Sequence, residues 1–182
     1  MRITGGIWRS RRLEAPKGDA TRPTSDRVRE ALFSMLASDG LLDGEPRVLD
    51  LYAGSGALAF EALSRGAREA VLVEHARDAL AAIRTNARAL GAEERVRVVG
   101  TRVERAKLEG SFDLVLLDPP YAEVRAKGFG DLLAAVAGLV APAGALVLEH
   151  AAQDAPRAIA SLQLDRTRRH GDTSVTIYRR AG

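Results

Sequence analysis

One stretch decides most about what this chain can fold into: "VLDLYAGSGALAFEA", Val48 to Ala62, where a leucine-rich run breaks at two glycines and passes at once into a helical pattern. A buried strand, a glycine turn and a helix in direct succession form the first half of a βαβ unit, which commits the chain to a parallel sheet. Similar runs recur as "AVLVE" (Ala70–Glu74), "RVRVVG" (Arg95–Gly100), "FDLVLLD" (Phe112–Asp118) and "ALVLEH" (Ala145–His150), with the first strand expected over Arg47–Tyr52. Runs of this kind suit strands buried on both faces. Helical spacing links them: Ala79, Leu80, Ile83, Ala87 and Leu90 end at Gly91, and Leu132, Leu133, Val136, Leu139 and Val140 end before "APAG". The expected fold is therefore α/β, a doubly wound and mostly parallel sheet. "LQLDRTRRHGDTSVTIYRR" reads as two strands around Gly171-Asp172 with no helix between, so an antiparallel C-terminal strand should close one edge.

The amino end stands apart. "ITGGIWRSRRLEA" carries a Gly-Gly turn signal and predicts a small hairpin, followed by the segment "APKGDATRPT". A helix should then begin, capped by Thr24 or Ser25, with Val28, Ala31, Leu32, Met35 and Leu36 as its apolar stripe and Arg27 and Arg29 off that stripe. This divides the chain into a basic hairpin and linker, residues 1–24, and a main domain, residues 25–182.

At 182 residues with no cysteine, the chain fits one core without disulfides or thiolate metal ligands, so no metal site is expected. Neither a signal-peptide h-region nor a membrane-length apolar run is present, which points to a cytoplasmic protein with no membrane partner. The net charge of +3 is unevenly spread. Residues 1–30 carry 8 basic and 4 acidic side chains and residues 166–182 carry 5 and 1, whereas residues 31–165 carry 14 and 19. An acidic body with arginine-rich ends suits a polyanionic partner such as nucleic acid, although single arginines are as often plain solvated surface.

In an open α/β sheet, ligands bind beyond the carboxyl ends of the strands, where strand order reverses. Gly54 and Gly56 allow a tight turn there, the helix from about Ala57 points its positive end at it, and Glu74, 20 residues after Gly54, stands where an acid accepts ribose hydroxyls. The glycines also match the nicotinamide dinucleotide pattern. Asp50, four residues before Gly54, favours instead a cationic ligand such as S-adenosylmethionine. "VLLDPPY" then brings Asp118 to the same edge. Pro119 and Pro120 cannot extend the ladder, which leaves the Pro119 carbonyl free. That carbonyl and the Asp118 carboxylate make two acceptors for the two N–H groups of a nucleobase amine, and Tyr121 offers a ring for the base to stack on.

"DLYAGSGALAFEALSRGA", "VLVEHARDAL" and "DPPY" resemble the glycine loop, ribose acid and amino-methylating motif of Rossmann-like S-adenosylmethionine-dependent methyltransferases. "RITGGIWRSRRLEAP", "RPTSDRVREALFSML" and "HGDTSVTIY" narrow the resemblance to bacterial 16S rRNA guanine-N2 methyltransferases of the RsmD type, over nearly the whole chain. The resemblance implies methyl transfer to the N2 amine of a flipped guanine at a guanine-966-type site, with 16S rRNA, in a small ribosomal subunit or assembly intermediate, as partner of a monomeric enzyme. Asp50 and Ala53, Gly54, Ser55 and Gly56 would hold the methionine part of the cofactor. Glu74 would take the ribose, with His75, Thr101 and Arg102 around the adenine. Asp118, Pro119, Pro120 and Tyr121 would hold the target base. Arg2, Arg9, Arg11, Arg12, Arg22, Arg27 and Arg29 are candidates for RNA backbone contacts, and Trp8 would stack on RNA or pin the hairpin. A DNA adenine-N6 or cytosine-N4 amino-methyltransferase would use the same chemistry, and His170 stands where the family usually has tyrosine.

Overall fold

The alternation of buried runs and amphipathic segments produces a seven-stranded sheet flanked by helices on both faces. The computed structural model describes residues 1–16 and 25–182. Strands β1 (Arg47–Leu51), β2 (Glu69–Glu74), β3 (Val96–Gly100), β4 (Phe112–Leu117), β5 (Val140–Ala151), β6 (Gln163–His170) and β7 (Thr173–Arg179) lie in the order β3-β2-β1-β4-β5-β7-β6. The first five are parallel; β7 pairs antiparallel with both β5 and β6. Strand order reverses between β1 and β4, so their carboxyl ends flank the crevice where such sheets bind ligands.

The helices are α1 (Asp26–Ser38), α2 (Ala57–Ser64), α3 (Arg77–Leu90), the single turn α4 (Tyr121–Val124) and α5 (Phe129–Ala137). Two of their ends have a clear local cause. Ser25 caps α1 by accepting from the Val28 N–H, and α3 ends on Gly91 in the left-handed conformation. One core layer packs α1, α2 and α3 against Val48, Leu72, Leu114, Leu116, Val147, Val175 and Ile177; the other packs α5 against Leu49, Leu51, Val115, Leu117, Leu146 and Leu148. Alternate residues on each strand thus face opposite layers, as the two-residue period of a pleated sheet demands.

Several expectations need correction. Leu139 and Val140 do not belong to the last core helix: α5 stops at Ala137, and "APAG" lies inside a longer β5, whose irregular register opposite Phe112–Leu114 accommodates Ala143 at φ 59°. Strand β3 is not buried on both faces, because it closes the sheet edge and is half covered. In α1 the buried residues are Arg29, Leu32, Phe33 and Leu36, while Ala31 is exposed. The inward stripe therefore runs through an arginine.

The amino-terminal hairpin is closed by an Arg2–Arg12 bridge, with the Ile3 N–H donating to Arg11 and the Ser10 N–H to Ile3. Ile3 and Leu13 join the core layer of α1–α3, so the hairpin is packed onto the body. Of the segment proposed as a linker, residues 17–24, with Arg22 and Thr24, lie outside the described residues.

Candidate active site

Asp50, Asp118 and Glu149 stand at the carboxyl ends of β1, β4 and β5. Asp50 is paired with Leu116 and Leu117 with Leu148, so the alternation of side chains places all three acids on the face of the sheet that carries α1–α3. Asp50 is fully buried. Its Oδ2 accepts the Ala59 N–H at 3.1 Å, in the first turn of α2, and its Oδ1 meets no hydrogen-bond donor among the described residues. Burial pushes its pKa up to about 8; the Ala59 hydrogen bond opposes this, and the nearby charges of Asp118 and Glu74 add to it.

Between β1 and α2 the chain turns at Ala53–Gly56, where the Gly56 N–H donates to the Ala53 carbonyl at 2.7 Å. Gly56 has φ 79°, and a Cβ there would lie 2.6 Å from the Phe60 ring, so both conformation and packing demand glycine. Gly54 differs: its φ is 56°, but a Cβ would meet nothing within 4 Å. The loop backbone is thus open on the side where a ligand would lie. Ser55 is buried, donates its hydroxyl to the Met1 sulfur at 3.6 Å and accepts from Asn86 through its carbonyl at 3.0 Å. Asn86 is itself buried and reads the hairpin, donating to the Glu14 carbonyl at 3.0 Å and accepting from its N–H at 2.8 Å. Asn86 and Met1 escaped the sequence reading; an asparagine on the buried stripe of α3 was the signal available.

Glu74 is buried and accepts three backbone N–H groups: Gly54 at 2.9 Å, His75 at 2.6 Å and Ala76 at 2.8 Å. It ties the end of β2 to the glycine loop, and a carboxylate with about four acceptor positions retains room for another donor. His75 and Arg102 are exposed and Thr101 is partly exposed; Thr101 and Arg102 directly follow β3.

Tyr52 holds φ 62°, a conformation costly for a bulky residue. Its hydroxyl donates to Glu123 at 2.8 Å and reaches Glu104 at 3.4 Å, bridging α4 to the loop after β3. Burial first, and then both carboxylates, hold this phenol above the usual tyrosine range.

Asp118 is partly exposed, Pro119 buried and Pro120 exposed. The Pro120 carbonyl accepts the Glu123 N–H at 2.8 Å to start α4, whereas no described residue donates to the Pro119 carbonyl. Tyr121 is partly buried, and its hydroxyl pairs with the Thr173 hydroxyl at 2.7 Å. The C-terminal hairpin thereby fixes the Tyr121 ring.

The basic candidates separate. Arg2, Arg9, Arg11, Arg12 and Arg27 are exposed, although an Arg11 guanidinium N–H donates to the Ala89 carbonyl and Arg2 donates to Ser10 at 2.9 Å. Arg29 is no RNA contact. It is fully buried, paired with Glu61 at 3.3 Å and Asp26 at 2.9 Å, and donates to the Arg2 carbonyl. Trp8 is partly buried: its N–H donates to Ser64 at 2.9 Å and the Arg95 guanidinium lies 5.5 Å from its ring, so it pins the hairpin to the body.

Comparison with known proteins agrees with this architecture. The family model described as conserved hypothetical protein 95 matches residues 1–179. YlbH of Bacillus subtilis, provisionally named an rRNA methyltransferase, is 35% identical with full coverage of both chains. Ribosomal RNA small subunit methyltransferase D of Escherichia coli K12 is 42% identical over 66% of this chain and 60% of its own length. The solved structure of yhhF from E. coli, provisionally named a methyltransferase, superposes with a TM-score of 0.82 at 33% identity, over 100% of this chain and 98% of that one. With a family match across nearly its whole length and a sheet that places the glycine loop and Asp118-Pro119-Pro120-Tyr121 at one crevice, the chain belongs to the conserved hypothetical protein 95 family, the RsmD-type group of Rossmann-like methyltransferases.

Proposed function

We propose that this protein transfers a methyl group from S-adenosylmethionine to the N2 amine of a guanine in small-subunit ribosomal RNA. The observation that carries the reading is the pairing, at the carboxyl end of β4, of the partly exposed Asp118 carboxylate with a Pro119 carbonyl to which no described residue donates. Guanine N2 has two N–H donors and these are two adjacent acceptors. Engaging both protons turns the nitrogen lone pair away from the ring and towards a donor lying over the glycine loop.

The residues at β1 fit such a donor. A buried carboxyl oxygen with no partner among the described residues, Asp50 Oδ1, suits a cationic group, and the open space beside Gly54 admits a ligand against the backbone. Asp50 and the Ala53–Gly56 loop would hold the methionine part, Glu74 the ribose, and His75, Thr101 and Arg102 would border the adenine. The cofactor supplies an electrophilic methyl group on sulfur. Methyl transfer from the bound cofactor's sulfur to N2 would leave N2 with a surplus proton, which Asp118 would take or pass to water. Asp118 also lowers the energy of the charge developing on nitrogen, while Tyr121, held through Thr173, stacks on the base. The names of the RsmD relatives support ribosomal RNA of the small subunit as the substrate.

Labelled methyl transfer onto small subunits and 16S rRNA from cells lacking the protein, followed by nucleoside mass spectrometry, tests this. N2-methylguanosine is the expected product. Methylated adenine or cytosine in duplex DNA, with none in rRNA, would replace the reading by that of a DNA amino-methyltransferase.

A further inference from the structure

We infer that the outer edge of the β6–β7 hairpin is a phosphate-binding rail for the RNA segment flanking the target base, with Arg168 its main contact and Arg169 its second. This rests on the RNA reading above. The location follows from register. Ala151, at the end of β5, is paired with Thr173, and Thr173 with His170, so the tip of the hairpin lies at the same carboxyl edge as Asp118. The tip is also tied to the site, since Thr173 bonds Tyr121.

Face follows from the same pairing. Glu149 is paired with Val175 and Val175 with Arg168, which places Arg168 in one cross-strand row with Glu149 and on the sheet face of Asp118. Three interstrand steps of ~4.8 Å put β6 about 14 Å from β4, a span that a short run of nucleotides beside a flipped base covers.

Charge compensation sorts the arginines of this edge. Away from the site, Arg166 lies 3.0 Å from Asp165 and 3.3 Å from Asp39, and Arg179 lies 3.8 Å from Asp39, so these cations are largely neutralised. At the tip, Arg168 and Arg169 are exposed and have no acidic partner within salt-bridge distance among the described residues; Arg169, paired with Ser174 and so on the other face of the sheet, donates to the Gly171 carbonyl at 2.9 Å. Uncompensated guanidinium groups at the rim of a nucleobase site suit phosphate, which they bind in a fork. A protein partner adding a strand to the free edge of β6 is disfavoured, because charged edge residues repel such pairing.

Binding of 16S rRNA is measured against salt for the full chain, with S-adenosylmethionine binding as control. Replacing Arg168 and Arg169 together by Ala should weaken RNA affinity about tenfold or more near ~150 mM salt and reduce the slope of log K against log salt by about two. Arg168→Ala alone should account for more than half, cofactor binding should be unchanged, and Arg166→Ala should leave the slope as it is. An unchanged slope in the double variant, with methylation of rRNA by the wild type intact, overturns the rail and leaves the proposed function standing. Self-association of the double variant with RNA affinity unchanged would show that the arginines only guard the edge. A wild type that binds no rRNA would sink both.

Discussion

The two ends of the chain have similar formal charge, and at each end part of it is spent on the fold while the rest faces water. At the amino end, Arg29 is spent inside the fold and Arg11 on a helix carbonyl, and the hairpin is stitched to α2 and α3 by Thr4 to Glu61 at 2.7 and 2.9 Å and by Asn86. At the carboxyl end, Arg168 and Arg169 remain in water. The amino end braces the glycine loop through Ser55, and the carboxyl end braces the target side through Tyr121. Charge counted along a sequence is therefore not charge available to a ligand; what each group packs against decides it.

The largest expected difference between the ends is in stability. Arg29→Ala leaves Glu61 buried with one cation fewer and should cost about 3–5 kcal/mol, against no more than ~0.5 kcal/mol for Arg168→Ala, both read by urea denaturation. Comparable losses would break the contrast. Next comes Asp118→Ala, which should lower the rate of methyl transfer by roughly 10²–10³ while cofactor affinity measured by calorimetry stays close to wild type. Asn86→Ala should act on the other half, weakening cofactor binding by about 1–3 kcal/mol as the glycine loop loses its brace, with less effect on the rate at saturating cofactor.

A pH series sharpens the cofactor side further. Asp50 has a folded-state pKa of about 8 against an ordinary value of 3.8, so between those values the folded protein holds a proton that the unfolded chain releases. Its contribution to stability is full below about pH 4 and falls as pH rises towards 8. Wild type should thus lose stability relative to Asp50→Asn between about pH 5 and 8, and a constant difference would contradict the buried acid. The smallest effect is expected from Tyr121→Phe, which keeps the stacking ring and removes the bond to Thr173; a loss of about 0.5–1.5 kcal/mol in kcat/KM separates anchoring from the larger cost of Tyr121→Ala.

The alternation of strands and helices, the glycine turn and the antiparallel close were readable in the sequence because each depends on local spacing. Arg29 was misjudged because its fate depends on Glu61, 32 positions away on α2; the spacing of Arg29 to Leu32, Phe33 and Leu36 was helical, yet an arginine on such a stripe reads as polar until its partner is known. For the same reason, an acid at the end of β2 reads as a ribose ligand, while its bonds to Gly54, His75 and Ala76 emerge only when loop and strand end meet. Asn86 offered only a polar residue on the apolar stripe of α3; its partners could not be named from the sequence, since the groups it bridges are backbone.

The buried amide of Asn86 makes the molecule resistant to trimming. Cutting away the first fourteen residues to obtain a minimal catalytic core would strip Asn86 of both its Glu14 bonds, leaving its buried Oδ1 without a donor beneath the glycine loop, and would take from Glu61 both its Thr4 bonds while Arg29 and Arg65 still hold it. Such a fragment would fail as a transferase for reasons unrelated to RNA, so the contribution of the hairpin to substrate choice is better probed by point changes at its exposed arginines than by deletion.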